Sequence, residues 1–172
     1  MKPQKLIQTT NMLKRGDKAP QFELPDVNGN NVSLSQILAK GKKVVVVFYR
    51  GGWCPMCSKQ LASLSSDFEK FKDKGATIVA ISNEAPQKGL DLLKKIKLPY
   101  YLLVDAKSNV IEAYGVKVTK RELFDIPALR GDHKDYALPS VFIISEDSKI
   151  LWVYIGKNFH ARPKNTQILA NL

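Results

Sequence analysis

Residues 44–49, Val-Val-Val-Val-Phe-Tyr, form a continuous apolar run in the first half of the chain. A β-branched run of this length marks a strand covered on both faces, and such strands belong to parallel or mixed sheets sandwiched between helices. Gly51 and Gly52 break it. Leu61, Leu64, Phe68 and Phe71 then recur at spacings of three and four, the stripe of an amphipathic helix that Gly75 is placed to stop. The pattern repeats downstream. Residues 77–82 read as a second buried strand, Pro86 opens a helix with Leu90, Leu93 and Ile96 on its apolar side, residues 100–104 make a third strand, and residues 109–114 a short helix before Gly115. Strands alternating with helices through short links predict parallel pairing in an α/β layer fold.

The flanks differ. The polar N-terminus predicts a loosely ordered arm over residues 1–13, followed by a single domain over residues 14–172. Phe22-Glu23-Leu24 and Asn31-Val32-Ser33-Leu34 alternate around Asn28-Gly29, a strong hairpin signal. Ser35 is expected to cap a short helix ending at Leu38. Residues 117–137 are mixed in charge, with Leu123, Phe124, Ile126 and Leu129 embedded. A link of about twenty residues with weak regularity is expected to be a functional flap or a disordered insertion. Residues 140–144 and 150–155, joined by Glu146-Asp147-Ser148-Lys149, predict an antiparallel hairpin, and Asn165 or Thr166 is expected to cap a final helix.

Composition narrows the classes. At 172 residues, with 44% hydrophobic and 25% charged, the chain suits one substantial core in an ordinary soluble domain. Its longest apolar run falls far short of the roughly 20 residues that span a bilayer. The N-terminal stretch lacks the apolar segment of a signal peptide, so a cytoplasmic protein with no membrane contact is expected, and two cysteines agree with a reducing compartment. The formal net charge of +11 raises nucleic acid as a partner. The lysines are scattered over helical faces without a recognised binding motif, so no nucleic acid is expected, and attraction of anionic substrates or acidic proteins is the weaker inference the charge allows.

Both cysteines, Cys54 and Cys57, fall where the buried strand gives way to the helix. In open α/β sheets that carboxyl end of a strand is where ligands and chemistry collect. Pro55 suits the first helical position, which makes Cys54 a cap residue and puts Cys57 in the first turn. Unpaired N–H groups and the positive dipole end favour a thiolate there, and in Cys-x-x-Cys sites thiol pKa values drop from about 8.5 into the range ~3.5–7.5. Residues three apart at a helix start share a face, within reach of the ~5.5 Å Cα separation of a disulfide. Such a small ring is a poor structural staple, because stabilisation grows with loop length. A zinc site is disfavoured because His133 and His160 lie far apart and far from finger spacing. Thiol redox chemistry is the main reading, with no metal and no cofactor expected.

Phe48-Tyr49-Arg50-Gly51-Gly52-Trp53-Cys54-Pro55-Met56-Cys57, preceded by Gly16-Asp17-Lys18-Ala19-Pro20-Gln21-Phe22, resembles the peroxiredoxin-like branch of the alkyl hydroperoxide reductase and thiol-specific antioxidant family. The likeness runs from about residue 14 to the end, through Ala113-Tyr114-Gly115-Val116 and the closing Ala161-Arg162-Pro163. It implies a thioredoxin-like fold, with a central mixed β-sheet flanked by helices and an N-terminal β-hairpin. Typical members carry Pro-x-x-x-Thr-x-x-Cys here; this chain has Arg50 for the proline and Cys54 for the threonine, so Cys57 takes the peroxide-attacking position. Members also usually place an arginine before the strand at Ser140, where this chain has Pro139. Leu138-Pro139-Ser140 looks instead like the cis-proline that thioredoxins hold against their cysteine pair.

The resemblance implies a thiol peroxidase: Cys57 attacks a hydroperoxide and becomes a sulfenic acid, Cys54 condenses with it, and an external thiol reduces the disulfide. That thiol would come from a thioredoxin-type protein or a low-molecular-weight compound. Arg50 would lower the Cys57 pKa and steady the departing oxygen, while Pro139, Trp53 and Tyr49 would position substrate. Two alternatives stay open: a disulfide oxidoreductase with Cys54 as nucleophile, and a redox sensor or binding module without turnover. Relatives often dimerise, so a homodimer belongs to the same expectation. His133 and His160 read as surface residues rather than acid-base groups.

Overall fold

The computed structural model describes residues 12–119 and 135–172. The apolar run becomes β3 (Lys43–Phe48), the middle of a five-stranded mixed sheet. It pairs in parallel with β4 (Ala76–Ser82), which carries β5 (Tyr101–Val104) at one edge. On its other side β3 pairs antiparallel with β8 (Ser140–Ile144), and β8 with β9 (Ile150–Ile155) at the opposite edge. The predicted α/β layer, its parallel pairs and its closing hairpin are all present.

Alternation along β3 explains its unbroken hydrophobicity. Val44, Val46 and Phe48 face one core cluster, while Val45, Val47 and Tyr49 face the other. Strands wholly covered in this way need apolar residues on both faces. The first cluster is closed by α1 (Leu34–Leu38) and α5 (Asn109–Ala113); the second by α2 (Pro55–Ser66), α3 (Phe68–Asp73), α4 (Pro86–Lys95) and α6 (Asn165–Ala170). The remaining strands form two ribbons, β1 (Glu23–Pro25) with β2 (Asn31–Ser33), and β6 (Lys117–Thr119) with β7 (Asp135–Ala137). Gly29 adopts φ +87° in the first ribbon, a left-handed conformation that the Asn-Gly pair foretold.

Several local expectations are corrected. The helical stripe is two helices that meet at Asp67, so Phe68 lies half-buried on α3 while Leu61 and Leu64 of α2 are fully buried. The cap of α1 is Ser33, whose hydroxyl accepts from the Gln36 N–H, and Ser35 is already inside the helix. On α4 the buried positions are Gly89 and Leu92; Leu90, Leu93 and Ile96 pack at the margin. Gly89 is required there because an added Cβ would run into Val27. Lys164 caps α6 in place of Asn165 or Thr166, and its N–H donates to the Gln167 amide oxygen. The link over residues 117–137 begins and ends as paired strands; residues 120–134, with Leu123, Phe124, Ile126, Leu129 and His133, lie outside the described residues, as does the N-terminal arm through residue 11. No helix among the described residues is long and apolar enough to cross a membrane.

Candidate active site

Strand β3 ends at Phe48, and residues 49–54 carry the chain to α2 along the carboxyl end of the sheet. Gly51 makes this turn feasible, since a Cβ there would collide with the Trp53 indole nitrogen and the Glu84 carboxylate. Cys54 is the N-cap of α2, Pro55 occupies its first position, and Cys57 sits in its first turn, as expected. Both are free thiols and both are buried, Cys54 at 4% exposure and Cys57 at 0%.

Their environments diverge. Cys54 is drawn down to about 5 by a hydrogen bond from the Cys57 side chain, then by the Cys57 backbone N–H and the charges of Arg50 and Arg162, all working against burial. The Cys57 thiol is pushed up, first by donating that same hydrogen bond and then by burial and the facing Cys54 thiolate. One proton is therefore shared by two sulfurs, and the pair titrates as a unit. Within the pair, Cys54 is the sulfur more readily ionised.

Arg50 is buried, and its guanidinium carbon lies 4.0 Å from the ring centre of Phe159, 5.0 Å from Trp53 and 5.5 Å from Tyr136. Aromatic faces attract a cation without neutralising it. Among the described residues Arg50 makes no ion pair and its Nε has no hydrogen-bond partner, so its field remains available to Cys54. To Cys57 it offers its backbone N–H. Trp53 packs edge-on against Tyr136 at 5.9 Å as one wall of this box. Tyr49 is buried in the same core cluster as the cysteines, bonded to the Ser82 hydroxyl, and burial keeps its phenol protonated.

Sequence patterning assigns no site role to Arg162, which the fold brings to Cys57 from 105 residues away: its Nη2 lies 3.1 Å from Cys57 Sγ. The guanidinium is fixed by Nε donating to Gln60 Oε1 at 3.1 Å and Nη1 donating to the Phe159 carbonyl at 2.6 Å. Only its place in Ala161-Arg162-Pro163, beyond a strand two positions from β3 in the sheet, could have signalled it. Glu84 is a second such residue. Buried just after β4, it accepts from the N–H of Gly52 at 2.6 Å and from that of Trp53, which pins the turn before Cys54; burial nonetheless pushes its carboxyl up.

Pro139 departs from expectation. No peptide bond among the described residues is cis, so the Leu138–Pro139 bond is trans, the lower-energy form for X–Pro. It is buried, and its carbonyl accepts from the Gly156 N–H at 2.8 Å, which fixes the extended entry into β8. His160 is exposed, with Nδ1 2.9 Å from the Met56 sulfur.

Comparison with known proteins agrees with this architecture. A peroxiredoxin Q of Gentiana triflora chloroplasts is 40% identical over 104 residues, 60% of this chain and 47% of the relative. The chain thus spans about half the length of that relative. A candidate peroxiredoxin of Mycobacterium tuberculosis is 34% identical over 142 residues, 83% of this chain and 85% of the relative. The crystal structure of the peroxidoxin BcpB from Mycobacterium tuberculosis superposes with a TM-score of 0.77 at 28% identity, covering 94% of this chain and 96% of that one. The reduced 2-Cys peroxiredoxin of Plasmodium vivax, at 19% identity and a TM-score of 0.73 over 90% of this chain, shares the fold. The model of the AhpC/TSA family matches residues 15–153, and this chain belongs to that family.

Proposed function

We propose that the protein is a thiol peroxidase in which Cys57 attacks a hydroperoxide and Cys54 resolves the product. The supporting observation is the Arg162 donor 3.1 Å from Cys57 Sγ, a guanidinium at the attacking sulfur although Pro139 stands where relatives carry theirs. Cys54 thiolate takes the Cys57 proton, which moves the charge onto the sulfur facing Arg162. Cys57 thiolate then attacks the terminal peroxide oxygen; the O–O bond breaks and the departing alkoxide or hydroxide takes the proton from Cys54. Cys57 is left as a sulfenic acid. The regenerated Cys54 thiolate attacks that sulfur, expels hydroxide, which solvent protonates, and closes the Cys54–Cys57 disulfide. The electrons for the next cycle come from an external thiol.

Rapid mixing of the reduced protein with one equivalent of hydrogen peroxide, followed by mass spectrometry, tests this sequence. Thiol loss far faster than that of a free low-molecular-weight thiol, ending in an internal disulfide, is expected. In Cys54→Ser a trapped sulfenic acid should appear on Cys57, formed more slowly because the proton carrier is gone. Peroxide consumption retained in Cys57→Ser would overturn the assignment.

The charge on Cys54 favours a second reading, a disulfide oxidoreductase with Cys54 as nucleophile. It expects a trapped mixed disulfide between Cys54 and a protein disulfide in a Cys57→Ser background.

A further inference from the structure

Beside α2, on the side of Arg162, lies a cavity of about 650 Å³. Volumes of this size take ligands of a few hundred daltons. Its wall includes Lys59, Arg162 and Lys164, none of which makes an ion pair among the described residues. The one carboxylate in the wall, Asp67, is already engaged by Lys70 at 2.8 Å and by the Asn165 amide at 2.8 Å. The cavity is therefore an uncompensated cationic pocket. It is separated from Cys57 Sγ by the Arg162 guanidinium itself.

We propose that this cavity docks the reductant, a carboxylate-bearing low-molecular-weight thiol that attacks Cys57 of the internal disulfide. The inference rests on the peroxidase reading only in taking the Cys54–Cys57 disulfide as the species reduced. In a disulfide the more stabilised thiolate leaves, and here that is Cys54, flanked by Arg50 and Arg162. The entering thiolate must then bond to Cys57, the buried sulfur that Arg162 of the cavity wall contacts at 3.1 Å. The first thiolate forms a mixed disulfide with Cys57 and expels Cys54 thiolate. A second attacks the mixed disulfide, releases the oxidised small disulfide and returns Cys57 as a thiolate. Two electrons pass from two small thiols to the protein. Arg162 suits the switch: a disulfide sulfur is a weak acceptor, so oxidation releases the Nη2 donor for a carboxylate while Gln60 and the Phe159 carbonyl keep the guanidinium beside Cys57.

The test uses protein oxidised with diamide, which makes the disulfide without any peroxide chemistry, so failure of the peroxidase reading is scored separately by peroxide consumption. Re-reduction is followed after rapid mixing with glutathione, 2-mercaptoethanol and cysteamine, each rate corrected for thiol pKa. Glutathione is expected to exceed the line through the other two by about tenfold or more, the scale of electrostatic capture by a charged cleft. That excess should collapse at about 1 M salt and in the double variant Lys59→Gln, Lys164→Gln. Acid quenching part-way should find glutathione on Cys57. Three thiols on one line, or the adduct on Cys54, would overturn the proposal. A carboxylate-bearing hydroperoxide offers the same chemistry to the cavity, so the oxidation step is run at the same salt concentrations with that oxidant and with a neutral one. Salt sensitivity confined to the carboxylate-bearing oxidant and missing from glutathione would hand the cavity to the hydroperoxide and also overturn it.

Discussion

Two arginines serve two sulfurs in opposite ways. Arg50 is held by three aromatic rings and contributes a field without a directed bond to Cys54. Arg162 is held by an amide oxygen and a carbonyl, and contributes a directed N–H to Cys57. An aromatic box keeps a buried charge unneutralised, whereas hydrogen-bonded anchoring fixes its direction. The difference teaches that one site can bias which sulfur ionises and, separately, which sulfur receives a directed donor.

Removing the directed donor should cost most. Arg162→Ala is expected to slow peroxide-driven thiol loss by about 10²–10³, the range for deleting one preorganised donor, with Arg162→Lys recovering part of it. If Arg162 acted only through charge, the lysine variant would match the wild type. Arg50→Leu should be milder: a rise of roughly one unit in the Cys54 pKa, equivalent to about tenfold in the thiolate-to-thiol ratio, read from thiolate ultraviolet absorbance against pH. An equal loss in both variants would erase the contrast.

The smallest effect is on stability. Cys54 has a depressed folded pKa, so its contribution is full above the unfolded thiol value of about 8.5 and is lost as pH falls through about 5. Cys57 has a raised one, so its contribution is full below about 8.5 and fades as pH climbs above that value. The melting temperature of the reduced protein, relative to Cys54→Ser, should rise between pH of about 5 and 8 and turn over beyond; at this size ~1 kcal/mol moves it by about 2–4 °C. A flat difference curve would mean that the two thiols do not share a proton.

What the sequence disclosed was whatever is local. The buried strand, the glycine break and the helix start with Pro55 all lie within a few residues of Cys54 and Cys57, so periodicity and capping chemistry place the cysteines correctly. Glu84 was within reach of the same logic, because β4 runs parallel to β3 and ends at the same edge. Tyr136 and Arg162 were not, since Tyr136 is placed by the pairing of β7 with β6 and Arg162 by where the chain leads after β9. Pro139 shows a different failure, an expected cis bond that is trans, because a motif names residues and leaves peptide isomers unstated.

Phe159 touches both arginines: its ring lies under Arg50 and its carbonyl accepts from Arg162. The two electrostatic environments are thereby mechanically joined through one position on the segment between β9 and α6. A double-mutant cycle across Arg50 and Arg162 should be non-additive while Phe159 joins them, and should approach additivity in a Phe159→Ala background. A swing of that single residue would withdraw the field from Cys54 and slacken the donor on Cys57 together, so the thiols lose their support as a unit.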